Sequence, residues 1–233
     1  MNGLFISELA RNPEYYIVTV VLVVFSICVH EASHTCVARM CGDSTAWDGG
    51  YMTLNPLKLM GIPSLIMLVL CGISWGMVPV NPDRLRPQWR RGLVSLAGPA
   101  ANVALAVVFA GSLALYAVCC TFMPALKEGA MTNSINLLLQ RGLELNLLLA
   151  IFNMIPVPPL DGWDVFATII PPLTRVSHEI RNAGMAILFI LLFATKASMY
   201  LFLPAAIATE LVSYLLGMES YRHLLQQYCT SCI

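Results

Sequence analysis

Charge is scarce in this sequence. Of its 233 residues only 11% are Asp, Glu, Lys or Arg, against roughly 25% in an average soluble domain. So little polar surface cannot cover a fold of this length in water, which excludes an aqueous enzyme, a disordered tail and a coiled coil. The 13 basic and 13 acidic residues cancel, so no electrostatic footprint for nucleic acid exists. Residues Met1 to Glu14 carry Glu8, Arg11 and Glu14 but lack a basic n-region. No cleavable signal is therefore expected, and the first apolar segment reads as a retained span. Internal repeats, low-complexity tracts and an appended soluble domain are also missing. What is present is apolar: 58% of residues are hydrophobic and the mean hydropathy is +0.74. These values describe a multi-spanning membrane protein.

Cysteine is plentiful at eight residues, yet no disulfide framework follows. Cys28, Cys36, Cys71, Cys119 and Cys120 lie inside apolar runs, where a thiol behaves as a small hydrophobe. Cys229 and Cys232 form a single C-x-x-C, read as a reduced tail.

Hydropathy predicts spans over Tyr15–Cys41, Gly92–Met123, Ile135–Ile155 and Ala183–Leu203, with Ala205–Gly217 a further span or an interfacial helix. Between the first two, Gly42–Gly61 turns polar and Gly/Pro-punctuated, predicting a loop with one or two short strands near Tyr51–Leu54. Ile62–Val78 is apolar but short and contains Pro63, Gly72 and Gly76. It is expected to be re-entrant rather than spanning. That reading places Arg39, Lys58, Arg84, Arg86, Arg90, Arg91, Arg175 and Arg181 on one side, against Arg11 and Lys127 on the other, the positive-inside pattern. It also brings the ends of two spans that carry His30, His34 and Asp161 to the same membrane face. The expected fold is an all-α, multi-pass helical bundle with a re-entrant or short-strand segment between the first two core spans. The whole chain, 1–233, reads as a single membrane-embedded domain.

His30-Glu31-Ala32-Ser33-His34 is H-E-x-x-H inside the first span. On a helix, positions i and i+4 stack on one face, so both imidazoles can grip one metal. Glu31 then projects beside it and can take a proton from water, whose pKa coordination lowers toward ~7. The plainer alternative is two histidines bonded to neighbouring helices with Glu31 as an ion-pair partner. Three ionisable groups within one turn of a span argue against it, since each costs ~2.5–3.5 kcal/mol at the bilayer centre on insertion scales. A catalytic zinc needs a third protein ligand. Glu144 sits at i+3 from Arg141 and reads as a self-neutralised pair, and Glu210 lies near the end of the chain. Asp161, at a Pro-rich bend, and Asp164, three residues on, both remain candidates, although Leu-Asp-Gly after proline is also ordinary turn chemistry. Asn102 and Asn153 are the buried amides best placed to stabilise a transition state. Interhelical hydrogen bonding is their alternative use.

These residues resemble a known family. The H-E-A-S-H of the first span, Gly98-Pro99-Ala100-Ala101-Asn102 in a later one, and Asn153-Met154-Ile155-Pro156-Val157-Pro158-Pro159-Leu160-Asp161-Gly162 are together similar to the site-2 protease family, intramembrane zinc metallopeptidases of the M50 group. Gly42-Asp43-Ser44-Thr45-Ala46, Thr53-Leu54-Asn55-Pro56 and Val78-Pro79-Val80-Asn81-Pro82 add to the likeness, which covers roughly Tyr15 to Val165. The closest subgroup is the short prokaryotic one without PDZ or CBS modules. The resemblance implies one Zn2+ per chain held by His30, His34 and Asp161, in preference to Asp164. It also implies Glu31 as general base and Asn153 as a group that holds substrate or the oxyanion, with Asn102 as a second candidate. It further implies a transmembrane protein as substrate, in a prokaryotic inner membrane. Two stretches depart from the pattern. Leu57–Pro63 stands where a His-x-Asp-Pro-x-Gly element is common, and Ser74-Trp75-Gly76-Met77 where Gly-Trp-Ala-Lys-type text is common. Both bear on substrate access rather than on the ligands. An ion-conducting transporter that uses the same His, Glu and Asp residues is the main rival, but its usual repeated halves are not visible. A non-catalytic scaffold of the same fold is the other.

Overall fold

The first span begins where its sequence supplies a start signal. Asn12 caps it by accepting the Tyr15 amide at 3.1 Å, and Pro13 occupies the first helical position, where its missing N–H is no loss. In the computed structural model, which describes residues 4–123, 126, 130–170, 173, 184, 188, 190 and 197–218, α1 is Glu8–Arg11 and α2 is Pro13–Met40. The 28 residues of α2 extend about 42 Å, more than the ~30 Å hydrocarbon core. Short helices α3 (Thr45–Asp48) and α4 (Pro56–Leu59) follow, then α5 (Gly61–Cys71), α6 (Trp89–Phe122), α7 (Ala130–Asn153), α8 (Asp161–Ile169) and α9 (Ala197–Leu215). Among the described residues, Pro13–Met40, Trp89–Phe122 and Met131–Asn153 are long and apolar enough to cross a membrane.

The segment after α4 does not cross. Helix α5 has 11 residues, about 16 Å, and stops at Gly72, whose φ of +74° is a left-handed value that glycine adopts without a Cβ clash. The chain then returns without helix. The Ser64 hydroxyl donates to the Trp75 carbonyl at 2.7 Å and accepts the Trp75 amide at 2.9 Å. The Met77 amide reaches the Leu59 carbonyl at 2.9 Å. Entry and exit are thus hydrogen-bonded to each other, and the segment enters and leaves the bundle on one side. The Tyr16 hydroxyl, donating to the Val69 carbonyl at 2.8 Å, ties it to α2.

Two sequence expectations change. No strand forms at Tyr51–Leu54, nor anywhere among the described residues. There the Thr53 amide turns back to the Tyr51 carbonyl, the Asn55 amide to the Thr53 hydroxyl, and Asn55 caps α4 through the Leu57 amide. Local side-chain and turn bonds satisfy the backbone that a strand would need. Ala205–Gly217 is not a separate element, because α9 runs through Pro204. Most of Ala183–Leu203 lies outside the described residues, and so do Lys127, Arg175, Arg181, Cys229 and Cys232.

Helix α6 is the hub, packed against α2, α7 and α8, while α2 also meets α7, and α9 lies on α7. Its buried stripe includes Val94, Gly98, Asn102, Ala106, Leu113 and Ala117, where the small Gly98, Ala106 and Ala117 let helix backbones approach, the usual basis of packing in lipid. Leu22, Val23, Ile27 and Cys28 of α2, Leu59 of α4, Met60 just after it, Leu68 of α5 and Leu145 of α7 form one apolar cluster. It anchors the re-entrant segment against α2 beside the H-E-x-x-H turn.

Candidate metal centre

Helix α2 places His30 and His34 one turn apart, both buried. Each ring is held from behind by α6. His34 Nδ1 donates to the Val94 carbonyl at 2.7 Å, and His30 Nδ1 lies 2.6 Å from Asn102 Oδ1. Val94, Gly98 and Asn102 follow at i, i+4 and i+8 on one helical face. Gly98 is what lets that face close on α2, because a Cβ there would overlap both imidazoles.

The third member arrives from the Pro-rich bend. After α7 the chain turns tightly, with the Val157 amide on the Ile155 carbonyl and the Leu160 amide on the Val157 carbonyl. It then enters α8 at Asp161. Gly162 fits because a Cβ would run into the Met154 and Ile155 carbonyls, so the bend folds back onto the end of α7. Helix α8 is fixed to α6 by Gln88 Nε2 donating to the Ala167 carbonyl at 3.1 Å and by an Arg91–Asp164 ion pair at 2.9 Å. Asp164 is therefore engaged outward. Asp161 turns inward, with Oδ2 3.1 Å from His30 Nε2 and Oδ1 3.4 Å from His34 Nε2.

The two Nε2 atoms are 3.0 Å apart, and the ligand atoms of His30, His34 and Asp161 all lie within 4.8 Å of one another. A carbonyl oxygen can only accept, so His34 carries a hydrogen on Nδ1 and, as the neutral ring, offers a lone pair at Nε2. His30 can do the same toward Asn102, with the amide oxygen at Nδ1. In that neutral Nδ1–H state two imine nitrogens and a carboxylate, all acceptors, converge. A cation relieves that repulsion, and two imidazoles plus a carboxylate are a donor set suited to a catalytic zinc with one open position. The residues present fit the ion.

Glu31 is buried beside the trio, with the backbone of Gly76 from the re-entrant return lying directly against its carboxylate. The two asparagines part company. Asn102 stands fully buried behind His30, on the Nδ1 edge, and its Nδ2 donates to Asn146 Oδ1 at 3.0 Å. That is the edge away from Asp161. Asn153 is half-buried at the end of α7 and donates to the Leu149 carbonyl of its own helix at 3.0 Å. No hydrogen bond joins it to the trio among the described residues. Arg141 and Glu144 form the expected pair at 2.5 Å.

Asn146 was not singled out by the sequence. It is fully buried, accepts from Asn102, and donates through Nδ2 to the Gly142 carbonyl at 2.8 Å. One signal was available: Asn146 and Asn153 are seven residues apart, two turns of one helical face. A further buried acid lies just past the end of α2. Asp43 accepts the Thr45 hydroxyl at 2.5 Å, the Thr45 amide at 3.1 Å and the Asn81 amide at 2.7 Å. Burial works to raise its pKa, but these hydrogen bonds and nearby Arg84 outweigh it and hold the carboxyl below its ordinary range.

Known proteins give the same picture. The sequence profile of "Peptidase family M50" matches residues 18–195. YwhC of Bacillus subtilis is 33% identical over 79% of this chain and 84% of its own length. Rip2 of Mycolicibacterium smegmatis is 31% identical over 82% of this chain and 74% of its own. MJ0611 of Methanocaldococcus jannaschii is 30% identical over 70% and 78% respectively. All three are provisionally named zinc metalloproteases. No solved structure gives a significant match.

Proposed function

The chain belongs to peptidase family M50, and from that premise we propose that it is an intramembrane zinc endopeptidase. In this reading it is one multi-pass domain in a prokaryotic cell membrane and cleaves other membrane proteins within or next to their transmembrane segments. The observation that carries the reading is the convergence of His30, His34 and Asp161, with Glu31 beside them, on helices long and apolar enough to span a bilayer. YwhC, Rip2 and MJ0611, named for zinc, support the choice of ion.

His30, His34 and Asp161 hold the ion, which when bound polarises the scissile carbonyl and lowers the pKa of water toward ~7. Glu31 takes the proton from the attacking water and returns it to the leaving amine. Asn102 orients His30 from behind rather than meeting substrate. Asn153, at the mouth of the bend that carries Asp161, is the amide left to steady the oxyanion or the substrate backbone. A helical substrate must unwind locally first, because its carbonyls are otherwise bonded within the helix.

The test is cleavage by the purified full chain in sealed proteoliposomes that contain single-span reporter proteins. Product masses should map the cut within or beside the span, and a zinc chelator should stop it. Ion flux without cleavage would favour the transporter reading, and cuts confined to loops remote from the span would overturn the intramembrane one.

A further inference from the structure

The histidine tautomer at His30 is settled by a relay that begins on another helix. A side-chain amide can be turned end for end with little change in shape, and a neutral imidazole carries its hydrogen on either nitrogen. Asn102 alone therefore cannot decide which edge of His30 is protonated. With its oxygen toward Nδ1, the ring has Nδ1–H and a lone pair at Nε2. With its nitrogen there, the hydrogen moves to Nε2, the atom that faces Asp161 and His34, and the ring cannot ligate.

The ambiguity ends at Gly142. Its main-chain carbonyl can only accept, so Asn146 must present Nδ2 to it, at 2.8 Å. That turns Asn146 Oδ1 toward α6, where it can only accept, and Asn102 must present Nδ2 to it, at 3.0 Å. Asn102 Oδ1 then faces His30 Nδ1 at 2.6 Å. Each link has one polarity once the carbonyl is fixed. The three side chains come from α7, α6 and α2, and Asn102 and Asn146 are fully buried, so no bulk water can substitute. Gly142 also permits the close approach, since a Cβ there would overlap the Phe109 ring of α6. His34 needs no such relay because it meets the Val94 carbonyl directly, at 2.7 Å.

We propose that Asn146 is a positioning residue for the metal centre: acting through Asn102, it locks His30 in the Nδ1–H form and keeps Nε2 free to bind the ion. This rests on the zinc-site reading above and adds a residue to it. Partners of this kind behind a ligating histidine typically alter metal affinity 10- to 100-fold when removed.

The test uses the full chain with 15N-labelled histidine, stripped of metal, and reads the His30 tautomer by NMR. Zn2+ affinity is then measured by competition with a chromophoric chelator. Wild type should show Nδ1–H at His30. Asn146→Leu keeps the volume but removes the acceptor, so it should give mixed tautomers and zinc binding weakened by about 10- to 100-fold. Asn146→Asp, as the neutral acid, has the same acceptor-plus-donor pattern as the amide and should restore both readouts, which a general packing role would not require.

A His30 Nδ1 without its hydrogen in the metal-free wild type overturns the proposal even if Asn146→Leu does not fold. So does an Asn146→Leu protein with unchanged tautomer and zinc affinity. Nδ1–H at His30 in a wild type that takes up no zinc overturns the metal reading and the relay's purpose with it, a pattern distinct from the other two.

Discussion

The main chain of Gly76 lies directly against the carboxylate of Glu31, although the two are on different segments. A return limb that leaves no room for a Cβ fixes where the proton acceptor points. Gly76→Ala should displace Glu31 and reduce cleavage on the order of 10²-fold, the scale of a 1 Å misplacement. Zinc content should stay at the wild-type level, because the three ligands are untouched. Parallel metal analysis and rate measurement check this, and unchanged cleavage would show that Glu31 tolerates the shift.

Gly98→Ala addresses the ligands instead. A Cβ on α6 would overlap both His30 and His34, so α2 and α6 must separate or the rings must rotate. The expected outcome is loss of bound zinc together with activity, in a protein that still elutes as a folded species. Retention of one zinc per chain would mean that the α2–α6 contact is softer than its geometry implies.

Asp161→Asn and Asp164→Asn separate the two acids that the sequence left open. Asp161 faces both Nε2 atoms, whereas Asp164 is paired with Arg91 at 2.9 Å on a partly exposed face. Asp161→Asn should lose stoichiometric zinc. Asp164→Asn should keep it and lose no more than ~1 kcal/mol of stability, as for other exposed pairs.

Asp43 supplies a pH-dependent test away from the metal. Its carboxyl is held below the ordinary range in the folded protein, so it contributes stability above its unfolded value of about 3.9. That contribution is lost as pH falls through the lower folded value. Asp43→Asn should therefore destabilise the protein at neutral pH by about 2 kcal/mol, the scale of hydrogen bonds to a charged acceptor. The gap from wild type should close on acidification. Thermal unfolding of both proteins across that range measures it, and a gap independent of pH would contradict the account.

The parts of this centre legible in sequence are those with a local rule. His30 and His34 announce themselves by helical spacing and the re-entrant segment by an apolar run too short to cross, whereas the Pro-rich bend left Asp161 and Asp164 both open and only the family resemblance preferred Asp161. Tyr51–Leu54 misled because a short run between Gly50 and Asn55-Pro56 suits a strand, while the hydroxyl of Thr53 and the side chain of Asn55 satisfy the backbone locally. Asn102 was visible as an amide in a span, but its side of His30 depends on how α2 and α6 cross, 72 residues apart in the chain. Asn146 depends on a further crossing, and the sequence signals it only by its seven-residue spacing from Asn153 on one helical face. The sequence reading divided the chain between Leu203 and Ala205, and α9 instead continues through Pro204.

Glu31→Gln tests the central claim most directly. The amide keeps the shape of the side chain but cannot accept a proton from water. One zinc per chain should remain bound, held by His30, His34 and Asp161, while cleavage of a membrane-spanning reporter falls to background. A Glu31→Gln protein that still cuts the reporter, or that loses its zinc along with its activity, would contradict the account.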